Sequence, residues 1–145
     1  MAGRAKTPWH YWAVSIFAVL WMAMGAFDYV MTHSGSEWYL ANFSEAERTL
    51  FTGFPAWVVA MWALSIWSGV AAAILMLFRH RWAVLLYAVS AFFFVTTAIH
   101  NYLIHDPAMH EVVGTLAVIF TFVIAASIGF LWWYSARAQR HGIIA

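Results

Sequence analysis

The side chains that could do chemistry lie near the ends of otherwise apolar stretches. Asp28 is one of them, and His100 with Asn101 forms a second group. Ionisable groups inside a membrane segment are costly, and they are therefore candidates for function. Asp28 and His100 lie at similar depth, so we expect them to pair, which would lower the cost of burying both. A ligand-binding or proton-coupled site would use this pair with Asn101.

Further histidines follow His100 and allow a metal hypothesis. Imidazole and carboxylate ligands suit zinc, copper or iron, and a bis-histidine haem would use His100 and His110. These histidines recur every five residues, so none forms a helical i, i+4 ligand pair. No cofactor is predicted. The ligands that a transition metal or haem would use are His33, His100, His105, His110 and Glu111.

Ten tryptophans form the second unusual feature of the sequence. Most fall at the expected membrane boundaries, where amphipathic rings contact both lipid and headgroups. Trp21, Trp62 and Trp67 lie deeper. They are candidates to stack on a ring-shaped ligand such as a quinone or a sugar, and the alternative is packing or lipid contact.

The elements that must position these residues are transmembrane helices. Hydrophobic residues make up 65% of the 145 residues and charged residues 9%, against roughly 45–50% and 25% in soluble domains. Crossing a bilayer takes about 20 helical residues, and four stretches are long enough. We predict one all-α integral membrane domain, residues 1–145, with four transmembrane helices in two antiparallel hairpins. The spans are residues 12–31, 56–78, 82–104 and 112–134.

Loops and helix contacts are also predictable. Ser44 and Glu47 form a capping box, which predicts a short helix through Phe51 on the membrane surface. Small residues recur every four residues, a spacing that lets helix backbones approach closely. The contact is expected within the chain, and the alternative is contact between copies. The two sets are Ser65-Gly69-Ala73 and Ala125-Gly129.

Charge sorting predicts the orientation. All bases except Arg48 fall at the N-terminus, in the turn at residues 79–81, or at the C-terminus, whereas all six acids fall at the opposite ends of the stretches. The positive-inside rule places both termini in the cytoplasm. A cleaved signal peptide is the competing interpretation of the first stretch, but its apolar run continues past the small residues. The sorted bases are Arg4, Lys6, Arg79, Arg81, Arg137 and Arg140.

Several function classes are disfavoured. The sequence has no Gly-rich phosphate loop, nucleophile elbow or His-Glu-x-x-His motif, and it has no cysteine for thiol chemistry. We therefore expect a protein that is not an enzyme. The few bases are spread over separate segments, which gives no nucleic-acid surface. Only hydroxyl side chains fall at mid-depth, so one chain offers no polar pathway for a hydrophilic solute.

Four segments carry a family resemblance: residues 20–32, 39–43, 54–59 and 79–84. They resemble small four-helix bacterial membrane proteins commonly labelled "sugar transporter". The similarity covers roughly the first two-thirds of the chain, but Met22 stands where relatives would carry an Asn. The resemblance implies the inner membrane of a Gram-negative bacterium. It supplies no catalytic or binding residues, and the chain does not resemble the three-helix sugar-exporter half-units.

Three functions remain open on the sequence alone. The leading hypothesis is a multi-pass inner-membrane protein that binds or transports a small solute in the manner of the sugar-transporter-like proteins. The second is an accessory subunit of a larger respiratory or photosynthetic complex. The third is a histidine-based metal or haem protein. The expected partners are membrane lipids and either further copies of the chain or a larger membrane complex.

Overall fold

The computed structural model describes residues 6–145, and within that range the chain consists of helices, turns and bends. The predicted cytoplasmic base Arg4 lies outside the described residues. A π-helical segment, His100–Ile104, directly continues the fifth helix. The α-helices are α1 (Trp9–His33), α2 (Glu37–Leu40), α3 (Glu45–Thr52), α4 (Ala56–Leu77), α5 (Trp82–Ile99), α6 (Met109–Val113) and α7 (Thr115–Arg140).

Four of these elements are long and apolar enough to cross a membrane, as the sequence predicted. They are α1, α4, α5 with its π segment, and α7. Together they indicate a multi-pass membrane protein. The second and third predicted spans agree closely with the structure, whereas α1 extends beyond both predicted ends of the first span.

The stretch predicted as the fourth span, residues 112–134, is divided between two helices. Residues 109–113 form the separate helix α6, and α7 runs from Thr115 to Arg140. Gly114 divides the two helices with φ 81° and ψ −170°, a backbone conformation almost restricted to glycine. Glu111 consequently lies in α6, and Arg137 and Arg140 lie in the last turn of α7, where cations favour the helix dipole.

The long helices pack in a row. α1 packs on α4, α4 on α5, and α5 on α7. Small residues allow the central contacts: a Cβ on Gly69 would lie 2.9 Å from the Met22 sulfur and 3.0 Å from the Ser90 hydroxyl. Ser65 and Ser90 each donate a hydrogen bond to the other's carbonyl, at 3.0 and 2.8 Å. The predicted close packing of the small residues of α4 within the chain is confirmed. At Gly129 of α7, by contrast, an added Cβ would meet no atom within 4 Å.

The bundle end that carries both termini is closed by the last residues of the chain. Ile144 is buried among core residues that include Tyr11, Met76 and Leu131. Main-chain hydrogen bonds link Ala145 with Arg79 and Arg81 at 3.1 and 3.0 Å. The tail therefore pairs with the turn between α4 and α5.

The opposite end carries the short helices. The capping box is confirmed, because the Glu47 amide donates to the Ser44 hydroxyl and the Ser44 amide donates to the Glu47 carboxylate. α3 ends one residue beyond the predicted Phe51. Its Leu50 packs with Phe54 and Val58 into a second small core, against which α6 also lies.

Candidate ligand-binding cavity

The two outer helices of the row, α1 and α7, meet at one end and separate toward the other. Near the termini, His10 Nδ1 lies 2.7 Å from the Tyr134 hydroxyl, and the rings of Tyr11 and Tyr134 stack at 6.3 Å. Further along, α1 packs on α4 and α7 packs on α5 rather than on each other. A cavity of about 640 Å³ fills the resulting gap.

The cavity extends from the middle of the bundle to the short helices. On α1 its lining runs from Trp21 to Thr32, and on α7 from Ala117 to Ile128. Eleven helical rises correspond to about 16 Å, roughly half the thickness of a hydrocarbon core. The volume is in the range of about 300–1,000 Å³ found for small-molecule sites.

Aromatic residues of the short elements cover the end of the cavity. Tyr39, Phe43, Phe51 and Phe54 come from α2, α3 and their connections, and Met109 comes from α6. The side between α1 and α7 is less covered: Met24, Phe27 and Phe120 line the cavity and are about half exposed. A ligand could therefore enter laterally, from the apolar region around the helices.

Asp28 is the acidic side chain among the lining residues, and it accepts a hydrogen bond of 2.5 Å from the Tyr39 hydroxyl. Burial raises the pKa of Tyr39 above its ordinary value, and so does the neighbouring Asp28 carboxylate, which accepts the hydrogen bond from the hydroxyl. The interaction joins α1 to α2 at the covered end of the cavity. Sequence reasoning missed Tyr39, whose distance of eleven residues from Asp28 gives no helical signal.

The expected pair between Asp28 and His100 does not form. Within residues 6–145, no hydrogen bond or ion pair joins the two side chains. His100 is buried at 5% exposure, and its Nδ1 lies 3.0 Å from Asn101 Oδ1. Its ring contacts Trp57 at 5.0 Å between centroids. Equal depth would permit contact, but it does not fix the direction that each helix faces.

The π-helical segment gives the five-residue histidine spacing a structural meaning. The His105 amide donates to the His100 carbonyl at 2.8 Å, and the two rings lie 5.6 Å apart. A π-helix brings residues i and i+5 together, so these histidines meet without i, i+4 spacing. Their rings also contact Phe54.

The other candidate metal ligands are dispersed. His33 stacks on Tyr29 and contacts Trp62, and His110 stacks on Tyr102. Throughout the described residues, no group of three or more His, Asp or Glu side chains is arranged to hold a metal ion. The arrangement therefore gives the hypothesis of a site with three or more such ligands no support.

Most hydroxyl groups in the cavity lining already donate to protein acceptors. Ser65 and Ser90 donate to each other's carbonyls, and Thr97 and Thr121 donate to carbonyls one turn back on their own helices. Tyr102 shares a hydrogen bond with Thr121 at 2.7 Å. These groups leave few hydroxyl protons for a ligand.

The three deep tryptophans are divided between two environments. Trp21 and Trp62 line the cavity, as does Asn101. Trp67 lies outside it, half exposed, with its ring 6.4 Å from Tyr29. The cavity lining therefore includes four of the six predicted ligand-site residues: Asp28, Asn101, Trp21 and Trp62.

Comparisons with protein-family models, curated proteins and solved structures returned no match to this chain. The functional argument therefore rests on the cavity and the residues that line it.

Proposed function

We propose that this chain is a bacterial inner-membrane protein that binds a small, mostly apolar molecule in the cavity between α1 and α7. The observation that supports this proposal most is the cavity of about 640 Å³ that widens between two helices of membrane-spanning length. In a bilayer the separated faces would contact lipid. A hydrophobic molecule could then enter from the membrane without passing through water.

The lining favours such a ligand over a sugar. A sugar needs several hydrogen-bond donors and acceptors that are left free by the protein. The hydroxyls of Ser65, Ser90 and Thr97 instead donate to carbonyls. Burying an unpaired polar group costs about 1–3 kcal/mol in proteins, and a sugar would bring several. An aromatic or alkyl body would contact the rings that line the cavity.

The proposed orientation places both termini in the cytoplasm and the short helices in the periplasm. It follows from the charge sorting, with α1 and α4 forming one antiparallel hairpin and α5 and α7 the other. The cavity would then occupy the outer leaflet. Movement of the ligand across the membrane would require a second conformation that opens toward the terminal end.

The binding function is testable with a neutral hydrophobic diazirine that crosslinks to nearby residues on illumination. We expect saturable labelling of Met24 and Phe120, the half-exposed residues at the two edges of the gap. Ala98→Phe places a bulky ring in the cavity lining and should abolish the saturable component.

Ala126→Phe is the matched control, because Ala126 is exposed on α7 and lies outside the lining. It should leave the labelling unchanged. Labelling that never saturates and spreads evenly over the apolar surface would refute the proposal.

A further inference from the structure

The cavity lining formed by the described residues carries a negative charge and no positive charge. Asp28 contributes a carboxylate, and the lining formed by the described residues includes no Lys, Arg or His side chain. No hydrogen bond or ion pair within residues 6–145 joins Asp28 to a basic side chain. The carboxylate is held instead by the neutral Tyr39 hydroxyl. A ligand could therefore supply the missing positive charge.

Aromatic rings cluster around Tyr39, the hydrogen-bond partner of Asp28. Phe27 and Phe43 contact the Tyr39 ring edge-on and obliquely, with centroids 5.9 and 5.5 Å away. Phe51 extends this row from Phe43 at 5.6 Å, and all four rings line the cavity. A cation within about 6 Å of an aromatic face is attracted by the ring quadrupole.

From these two observations we infer that the ligand is a lipophilic cation, with its charged group at Asp28 and its apolar body between α1 and α7. This inference rests on the proposed function and adds the sign of the ligand's charge. An anion of the same shape would meet the Asp28 carboxylate and the negative faces of the rings. Phospholipids with an ammonium group also carry a phosphate, which would be repelled, so a net-positive molecule is favoured.

The test uses two probes of nearly the same shape and opposite charge, tetraphenylphosphonium and tetraphenylborate. Equilibrium dialysis of the protein in dodecyl maltoside, a detergent without charge, should show saturable binding of the phosphonium only. Asp28→Asn should weaken that binding at least about tenfold, which corresponds to about 1.4 kcal/mol. Asp28→Glu keeps the charge and should retain most of the affinity.

Glu111→Gln is the control for loss of a carboxylate, since Glu111 is exposed on α6 outside the lining. It should bind like the wild type. Saturable photolabelling by the neutral diazirine shows whether the cavity of each variant is intact. If Asp28→Asn keeps that labelling and loses the phosphonium, the inference is supported.

Three outcomes would overturn it. Equal binding of both probes would refute the charge selectivity and leave the proposed function standing. Unchanged phosphonium affinity in Asp28→Asn would remove Asp28 as the counter-ion. Displacement of the phosphonium by excess phosphatidylcholine would refute the choice of a net-positive ligand. If the neutral diazirine does not label the wild-type cavity in a saturable manner, the proposed function itself is refuted.

Discussion

Asp28 has a different partner from the one that its depth in the membrane had predicted. It accepts a hydrogen bond from Tyr39, whereas His100 interacts with its sequence neighbour Asn101. Depth can be counted along a sequence, but the rotation of a helix about its axis depends on contacts with the neighbouring helices. The sequence therefore identified the polar residues and not their pairing.

The corrected pairing predicts a double-mutant cycle. Asp28→Ala and Tyr39→Phe should be coupled by more than about 0.5 kcal/mol, because each removes the same hydrogen bond. Asp28→Asn and His100→Gln should be additive, since those side chains have separate partners. The measurement is the free energy of unfolding in detergent. Coupling in the second cycle and additivity in the first would restore the original Asp28–His100 hypothesis.

Glu47 allows a prediction about pH. Its hydrogen bonds with the Ser44 amide and hydroxyl hold the pKa of the carboxyl below its ordinary value. Because the pKa is lowered in the folded state, the charged carboxylate stabilises α3 at pH values above the ordinary carboxyl pKa of about 4.3. This stabilisation is lost as the pH falls through the lowered value. Hydrogen exchange in residues 44–52 should therefore accelerate, relative to its intrinsic rate, as the solution becomes acidic.

Glu47→Gln should remove most of that pH dependence, because glutamine can cap without a charge. Glu45→Gln, in the same helical turn but outside the capping box, is the control and should keep it. A wild-type exchange profile with no acid-dependent change would show that the cap does not stabilise α3.

Among the helical elements, the four long helices were the most predictable. Their apolar length identifies them, and Ser65, Gly69 and Ala73 correctly indicated close packing within the chain. The division between α6 and α7 was not predicted, because Val112 and Val113 continue the apolar pattern across Gly114. The π-helical segment was also missed, since the same apolar composition suits an α-helix and a π-helix.

Gly114 provides the test of that division. A Cβ at this position meets no atom within 4 Å, so Gly114→Ala would act through the backbone alone. We expect it to destabilise the fold by about 1–3 kcal/mol, the usual cost of a non-glycine residue in such a conformation. Thermal unfolding in detergent measures the change.

Gly129 is the matched control. It lies within α7, also has open space around its Cβ position, and is not among the glycines with positive φ. Gly129→Ala should be neutral or stabilising by about 0.5–1 kcal/mol, because alanine favours a helix interior. Equal effects at both positions would mean that Gly114 is not conformationally required.

For the whole molecule, the sequence predicted the all-helical membrane class but could not predict the cavity. Four apolar helices can pack in several arrangements, and the cavity depends on α1 and α7 being at the two ends of the row. Trp21 and Trp62 were identified by depth as possible ligand contacts. Their position in the lining follows from packing that involves residues far apart in the chain.

The proposed topology remains a prediction and can be tested in this cysteine-free chain. Ser34→Cys and Gln139→Cys each place a thiol at an exposed position near opposite ends of the bundle. In intact spheroplasts, a membrane-impermeant maleimide should label the Ser34 variant and leave the Gln139 variant unlabelled. Permeabilised membranes, in which both should react, are the control. The reverse pattern in spheroplasts would invert the orientation.

The meeting of α1 and α7 at only one end has a mechanical consequence. With His10 and Tyr134 as a pivot, rotating the 25-residue α1 by about 5° would move its far end by about 3 Å. If a bound ligand rotates α1 in this way, the protein takes up more area in one leaflet than in the other. Lateral tension in that leaflet and ligand affinity would be thermodynamically linked, so stretching the membrane would favour the occupied state.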